Sequence, residues 1–330
     1  MNRSGRNSHS GGGLAVGHGS RLPHAVWEPS HFSLPSELAS SSHDNSRRLA
    51  LIPLIQTIDT HQFGIRQTGA VYAIPGDRLC LIESGPATAA SIIREALGTA
   101  SPDYVFLTHV HLDHAGGAGY LARAFPTCKI VVHERGVRHL GDPTRLIEGV
   151  RSASPDLFGL YGEPLPIPEA QLISVRGGEV FDLGGEARLE VVASPGHAPH
   201  HICFFEHATR TLFTGDAVGN WNTPVDVPLT VPPRFELSQA LETLDALRRL
   251  HPSQLAFTHF GIADNAQSTL DHYEKQLIDW FKSIAKLSQD HPLDDVIREI
   301  HGWPRHSNLS EIERQMIAMC VRGAVASLQT

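Results

Sequence analysis

Four residues of types that bind metal ions lie within six positions of one another in segment 108–117, which reads THVHLDHAGG. The four candidate ligands are His109, His111, Asp113 and His114. In an extended chain alternate side chains share one side, so His109 and His111 can converge on one ion. The turn into a following helix would let Asp113 and His114 face a second ion. Imidazole nitrogen and carboxylate oxygen suit Zn²⁺, and Mn²⁺ or Fe²⁺ also accept this donor set.

Three further candidate ligands each follow an apolar segment that predicts a strand. They are His197 in SPGH, Asp216 in FTGD and His259 in THFG. A rigid scaffold can carry a site on the loops at its strand ends. The glycines in these motifs allow a sharp turn or a close approach of the backbone to the site.

Sorting the seven candidates by charge predicts two neighbouring metal sites. The first site would contain His109, His111 and His197, and the second would contain Asp113, His114 and His259. Asp216 would bridge the two sites, and a hydroxide could be shared between the metals. Unpaired histidines and carboxylates packed this densely would be costly to bury, which favours metal binding over a structural role for the set.

The run THVHLDHAGG, followed in order by SPGH, FTGD and THFG, closely resembles the metallo-β-lactamase-fold hydrolase superfamily over about residues 53–262. The resemblance, to the general glyoxalase II-like branch, implies an α/β fold: a four-layer αββα sandwich with a binuclear site at one edge. It also implies that the seven residues named above bind two Zn²⁺ ions per chain, with Mn or Fe as alternatives. Asp113 would lie next to the shared hydroxide, so we predict that it is the catalytic proton acceptor.

The branches of this superfamily differ in motifs that narrow the expected substrate. Broad-spectrum β-lactamases typically have Cys or Ser where this chain has Asp216, and acyl-homoserine lactonases carry a tyrosine that residues 217–258 lack. Glyoxalase II and the sulfur dioxygenases usually have a Gly-Cys-Gly-Arg-like loop, which is replaced here by AVGNWNTPVDVPL. The resemblance therefore predicts a metal-dependent hydrolase that acts on a small ester or thioester.

Three alternatives remain open at this stage. They are a lactonase or phosphodiesterase of the same fold, a mononuclear iron sulfur dioxygenase, and a non-catalytic binding or regulatory member. Metal content and turnover would separate them. The candidate substrate contacts, for which ordinary packing is an equally good interpretation, are Trp221, Arg234, Phe235 and Phe260. We leave His200 and His201 out of the metal set and expect them to support the ligands without contacting a metal themselves.

Composition and charge limit the classes of partner. Hydrophobic residues make up 41% and charged residues 19% of the 330 residues, which is typical of a folded globular protein. The formal net charge of −8, without a long basic cluster, argues against nucleic-acid binding. Four widely spaced cysteines predict reduced thiols, and we find no membrane span or secretion signal, so we expect a cytoplasmic protein. The expected partners are a small-molecule substrate and a second copy in a homodimer.

The elements that must position the ligands form an alternating α/β pattern. Strands are predicted at 55–60, 70–75, 79–84, 103–110, 129–134, 186–196, 201–207, 209–216 and 254–259. Helices are predicted at 87–97, 117–125 and 238–250, with further helical segments after 134 up to about residue 154. A tight turn at 208–210 predicts a hairpin. We divide the chain into a disordered tail (1–45), a catalytic domain (46–264) and a C-terminal module of three helices (265–330) that packs on it.

Overall fold

The structure is a computed structural model that describes residues 54–153, 155–221, 227–232, 235–303 and 306–329. The predicted disordered tail therefore lies outside the described residues. Within the described ranges, no helix combines the length and the apolar character that a membrane crossing requires.

The first sheet has six strands that follow one another in chain order. These are β1 (Gln56–Asp59), β2 (Ala70–Ile74), β3 (Cys80–Ile82), β4 (Tyr104–Phe106), β5 (Lys129–His133) and β6 (Leu172–Val175). The first three strands pair antiparallel, which confirms them as neighbours, and β3 to β6 pair in parallel.

The second sheet also has six strands in chain order. These are β7 (Val180–Gly184), β8 (Ala187–Ala193), β9 (Ile202–Glu206), β10 (Thr211–Gly215), β11 (Gln254–Phe257) and β12 (Ile262–Ala263). Strands β7 to β10 pair antiparallel, and the predicted hairpin between β9 and β10 is confirmed. The pairing of β10 with β11 is parallel, so the chain must cross over between them.

Helices cover the outer face of each sheet. Those before β6 are α1 (Ala90–Leu97), α2 (Leu112–Ala115), α3 (Ala118–Ala124), α4 (Glu134–Gly141), α5 (Thr144–Ala153) and α6 (Pro155–Tyr161). Helix α7 (Leu237–Arg249) makes the crossover from β10 to β11. The chain ends in α8 (Ala266–Asp290), α9 (Leu293–His301) and α10 (Glu311–Leu328), which confirms the three predicted C-terminal helices. Short 3₁₀ turns lie at Gln62–Gly64, Ala87–Ala89 and Glu169–Gln171.

Alternating side chains explain why the two sheets stack face to face. In β2, Tyr72 points into the core between the sheets, while Val71 packs with the helices outside the first sheet. In β9, Phe204 enters the same inter-sheet core and Phe205 packs with the helices outside the second sheet. Since side chains of a strand alternate between faces, apolar residues on both faces require a covering layer on each. The predicted four-layer αββα architecture is confirmed.

The C-terminal helices belong to the same hydrophobic core as the second sheet. Leu277 of α8 and Val321 of α10 are fully buried in a cluster that also contains Leu212 of β10 and Leu255 of β11. The helices therefore bury apolar surface that the second sheet would otherwise expose.

Sequence reasoning missed four elements and misplaced one boundary. Strands β6 and β7 are largely half-exposed and so carry a weak apolar pattern, β12 has only two residues, and α6 was not assigned. The strand predicted at 103–110 ends at Phe106. Beyond it, the Thr108 amide donates to the Glu83 side chain and the Thr108 carbonyl accepts from Ile202 of the other sheet. These bonds take the segment away from the first sheet.

The shared core predicts that the helical module and the sheets unfold together. Replacing the fully buried Leu277 with alanine should lower the free energy of unfolding by about 2–5 kcal/mol. Leu328→Ala is the matched control, because that side chain is 44% exposed, and it should change stability by less than about 0.5 kcal/mol. Urea unfolding followed by circular dichroism and by tryptophan fluorescence should give one common midpoint. A separate early transition confined to the helices would contradict a shared core.

Candidate metal centre

The seven candidate ligands converge where loops leave the strands of both sheets. The first histidines follow β4 and lead into α2, which carries Asp113 and His114. His197 lies between β8 and β9, Asp216 directly follows β10, and His259 follows β11. Their side-chain ligand atoms form two compact groups. The structure thus brings together residues that lie up to 150 positions apart in the chain.

The first group consists of three imidazoles whose nitrogens point at one another. His109 Nε2 lies 2.8 Å from His111 Nδ1, and His197 Nε2 lies 3.1 Å from the same nitrogen. A tetrahedral Zn²⁺ with Zn–N bonds of about 2.0 Å would separate its nitrogen ligands by roughly 3.3 Å. The observed spacing is thus close to that of ligands around one ion.

The second group combines a carboxylate with two imidazoles. Asp113 Oδ2 lies 3.7 Å from His114 Nε2 and 3.8 Å from His259 Nε2. Both imidazoles are buried, whereas the Asp113 side chain is 16% exposed. Asp113 therefore offers a carboxylate that is both near the second group and accessible to solvent.

Asp216 lies between the two groups and reaches each with a different oxygen. Its Oδ1 is 3.1 Å from His114 Nε2 and 3.3 Å from His259 Nε2. Its Oδ2 is 3.3 Å from His197 Nε2 and 3.9 Å from His109 Nε2. This position is the one that a bridging carboxylate requires.

Two buried atoms in this cluster suggest that a cation completes the site. His114 Nε2 and Asp216 Oδ1 lie 3.1 Å apart, but not in hydrogen-bonding geometry, and neither has another hydrogen-bond partner among the residues that the structure describes. A buried polar atom without a partner is costly. Both atoms lie next to the second group, so a divalent cation there would satisfy them together. The donor set fits a resident metal.

Hydrogen bonds behind the ligands fix which imidazole nitrogen carries the proton. The Leu229 carbonyl accepts at 2.8 Å from His197 Nδ1, which leaves Nε2 with a free lone pair. His114 Nδ1 lies 2.9 Å from the Glu83 carboxylate, so Nε2 is the nitrogen that faces Asp113 and Asp216. Such bonds orient metal-binding imidazoles and raise their basicity.

Glu83 is a functional residue that sequence reasoning missed. It is fully buried at the end of β3, with a φ of 71°. Besides His114, it accepts hydrogen bonds from the Thr108 hydroxyl at 2.5 Å and the Thr258 hydroxyl at 3.1 Å. Thr108 Oγ1 in turn lies 3.0 Å from His109 Nδ1. The sequence signal was the single carboxylate at the end of the apolar run LCLIE. Burying a carboxylate is costly unless other groups donate hydrogen bonds to it.

His201 supports Asp216 rather than joining the ligand set. The Asp216 backbone amide donates to His201 Nε2 at 3.1 Å, and His201 Nδ1 lies 2.8 Å from the Ser194 hydroxyl. Both ring nitrogens are therefore engaged away from the metal groups. His200 is different, because its Nε2 is buried and has no hydrogen-bond partner among the described residues.

The cluster has strongly shifted proton affinities. Burial lowers the pKa of His109 well below its ordinary value and that of His111 to about 3, and neighbouring imidazoles add to the effect. Burial also lowers the pKa values of His114 and His259, but nearby carboxylates, Asp216 first, outweigh it and raise both. Burial raises the pKa of Asp216, yet the surrounding imidazoles, His114 first, hold it well below its usual range. A metal entering the second group must displace protons from its histidines.

The C-terminal helices hold the segment that orients the first group. In segment 227–232, the Thr230 hydroxyl donates at 2.7 Å to the Cys320 carbonyl of α10. The same hydroxyl accepts from Trp280 Nε1 of α8 at 3.1 Å. Thr230 directly follows Leu229, whose carbonyl accepts from a ligand imidazole. The helical module thus acts on the metal centre through one short segment.

Of the four predicted substrate contacts, one is buried in the core and one lies outside the described residues. Phe235 is 3% exposed and packs against Phe281 of α8, with ring centroids 5.6 Å apart. Its ring is part of the hydrophobic core that contains the C-terminal helices. Arg234 lies outside the described residues.

The other two predicted contacts lie on neighbouring loops. Trp221 is 36% exposed and stacks on Phe257 at 5.7 Å between ring centroids. Phe260 has a φ of 75° and packs against the inter-sheet core. Neither lines the cavity of about 790 Å³ that opens beside His111 and His197.

Removing the Glu83 charge should weaken metal binding. In Glu83→Gln the amide cannot accept all the bonds that orient the ligands, so we expect metal affinity to fall by about 10- to 100-fold. Competition titration against a chelator at fixed pH measures this loss. Glu206→Gln is the matched control, because Glu206 is also fully buried but accepts from Ala208 and Thr209 at the β9–β10 turn. An equal loss in both variants would contradict a positioning role for Glu83.

Comparisons with known proteins agree with this geometry. A profile of the Metallo-beta-lactamase superfamily matches residues 64–259, more than half of the chain. A metallo-beta-lactamase fold-containing protein from Sulfurisphaera tokodaii is 29% identical over 217 residues, which are 64% of this chain and 79% of that protein. An atrochrysone carboxyl ACP thioesterase from Aspergillus aculeatus is 34% identical over 118 residues, but these are 36% of this chain and only 28% of that protein.

The fold comparison points the same way. A solved archaeal metallo-beta-lactamase superfamily protein from Sulfolobus tokodaii superimposes with a TM-score of 0.64 at 24% identity, over 82% of this chain and 98% of that chain. The sandwich, the order of the ligand motifs and the profile match lead to one conclusion: the chain belongs to the metallo-beta-lactamase superfamily.

Proposed function

We propose that this protein is a binuclear metal-dependent hydrolase that acts on a small ester or thioester. One observation carries the proposal: the two groups of ligand atoms are linked by Asp216, which reaches both with separate oxygens. A single ion would need only one of these groups. The arrangement therefore favours two ions per chain, and the mixed imidazole and carboxylate donors favour Zn²⁺.

Each residue has a distinct task in this proposal. The imidazoles of His109, His111 and His197 would hold one ion, and the second group would hold the other. Two bound divalent cations would polarise the scissile carbonyl and supply hydroxide at neutral pH. The protein itself fixes the ligand orientations through Glu83 and excludes competing water by burying the site.

Asp113 is the proposed proton acceptor. It is more exposed than His114 and His259, at 16% for the side chain against 0% and 7%. Its carboxylate can therefore meet an attacking water and a leaving group as well as the metal site. Accepting the proton of the water and passing it to the leaving alkoxide or thiolate completes hydrolysis without a serine or cysteine nucleophile.

The thioester part of the proposal is supported by the relatives. Two fungal proteins that match part of this chain, over 118 and 161 residues, are named as atrochrysone carboxyl ACP thioesterases. A carbonyl activated by a metal ion is attacked in the same way in esters and thioesters, so the site chemistry suits both.

Hydrolysis of a panel of neutral and anionic thioesters and esters, of lactones and of phosphodiesters by the metal-loaded protein tests the proposal. We expect turnover on esters or thioesters, and a loss in kcat of at least about 100-fold in Asp113→Asn. Asp290→Asn is the matched control, because this residue ends α8 and is exposed, and it should keep full activity. Full turnover in metal-loaded Asp113→Asn would exclude the proton-acceptor role. Absence of turnover across the panel would contradict the hydrolase assignment.

A further inference from the structure

The cavity beside the first ligand group has a basic wall. It has a volume of about 790 Å³, and two ligands of the first group, His111 and His197, belong to its lining. Helix α4 contributes Arg135 and Arg138 to the lining. These residues are three positions apart on one helix, so their side chains share a face.

Neither guanidinium pairs with a carboxylate of the residues that the structure describes. Arg135 Nη1 donates to the Pro199 carbonyl at 3.3 Å, and Arg138 Nε lies 3.3 Å from His139 Nε2. No carboxylate of the described residues forms an ion pair with either arginine. The cavity wall therefore carries uncompensated positive charge in a chain whose formal net charge is −8.

The acidic residue of the same wall does not offset this charge. Glu134 precedes Arg135 in α4, and its carboxylate pairs with Arg176 Nε at 2.7 Å. Since Arg176 cancels the charge of Glu134, the two cavity arginines remain free to bind an anion.

A further hydrogen-bonding group lines the cavity from the opposite loop. His200 Nε2 is buried and has no partner among the described residues, although the residue forms part of the cavity lining. A buried imidazole nitrogen without a partner has a cost that a polar ligand would remove. The cavity thus joins the metal centre to two arginines and one unsatisfied imidazole.

We propose that this cavity binds an oxyanion carried by the substrate, with Arg135 and Arg138 as the residues that determine specificity. This inference rests on the proposed hydrolase function and narrows its substrate class to anionic esters or thioesters. Guanidinium groups bind carboxylate and phosphate oxygens in a planar, two-point geometry, so either oxyanion fits. The anion would anchor one end of the substrate while the scissile carbonyl reaches the metal groups.

Three thioesters distinguish the sources of the anion. Acetyl-N-acetylcysteamine is neutral, glutaryl-N-acetylcysteamine carries a carboxylate on the acyl side, and acetyl-phosphopantetheine carries a phosphate on the leaving group. We expect kcat/KM for at least one anionic thioester to exceed that of the neutral one by about 10-fold or more. The substrate that shows this preference identifies the oxyanion.

The double variant Arg135→Gln/Arg138→Gln should remove this preference. We expect its kcat/KM for the preferred anionic thioester to fall by about 10- to 100-fold, mainly through KM, with the neutral thioester unchanged. Arg151→Gln/Arg298→Gln is the matched control, because it removes the same charge from helices α5 and α9 outside the cavity lining. An equal loss in both double variants, or none in the first, would overturn the inference.

A binding measurement separates this inference from the hydrolase proposal. Glutarate and inorganic phosphate serve as unreactive probes, titrated calorimetrically into the metal-loaded protein and both double variants. Tighter binding to the unaltered protein and the control than to Arg135→Gln/Arg138→Gln supports the anion site even if no thioester is hydrolysed. Equal binding of both probes to all three proteins would overturn the anion site even if hydrolysis is observed.

Discussion

The buried carboxylate of Glu83 is the interaction on which the site depends. It receives hydrogen bonds from Thr108, His114 and Thr258, and so joins the segments that carry ligands from both sheets. A buried charge is tolerated only where several donors surround it, so these segments cannot separate without exposing an unsatisfied carboxylate. The same buried carboxylate therefore both orients the ligands and holds the two sheets together at this edge.

The rest of the architecture also positions the ligands at this edge of the two sheets. Sheet strands end where the ligand loops begin, and the αββα layers bury both faces of each sheet, which keeps those ends rigid. The C-terminal helices complete the arrangement from the far side, because Trp280 and Cys320 hold Thr230 next to the carbonyl that orients His197. His197 also lines the cavity to which α4 contributes two arginines. One ligand thus takes part in both a structural contact and the proposed recognition surface.

Sequence reasoning recovered the parts of the site that have a local signature. Ligand types at short spacing, as in His109 and His111, predicted a shared site, although the strand on which that argument relied ends at Phe106. The apolar periods predicted most strands, and the breaks at 291–292 and 302–304 predicted the three C-terminal helices. Glu83 escaped because its importance comes from partners 25 to 175 positions away. Phe235 was predicted as a substrate contact because it follows the loop after Asp216, but only the packing of α8 shows that its ring is buried. The role of α4 in the cavity was likewise invisible until the fold placed Arg135 beside Pro199.

The central claim is that the seven residues hold two ions with Asp216 between them. Elemental analysis of protein purified without added metal or a metal-binding tag tests this most directly, with Asp216→Ala prepared in the same way. We predict about two zinc ions per chain in the unaltered protein and at most one in the variant. One iron per chain, or an unchanged metal content in Asp216→Ala, would contradict the bridged binuclear centre.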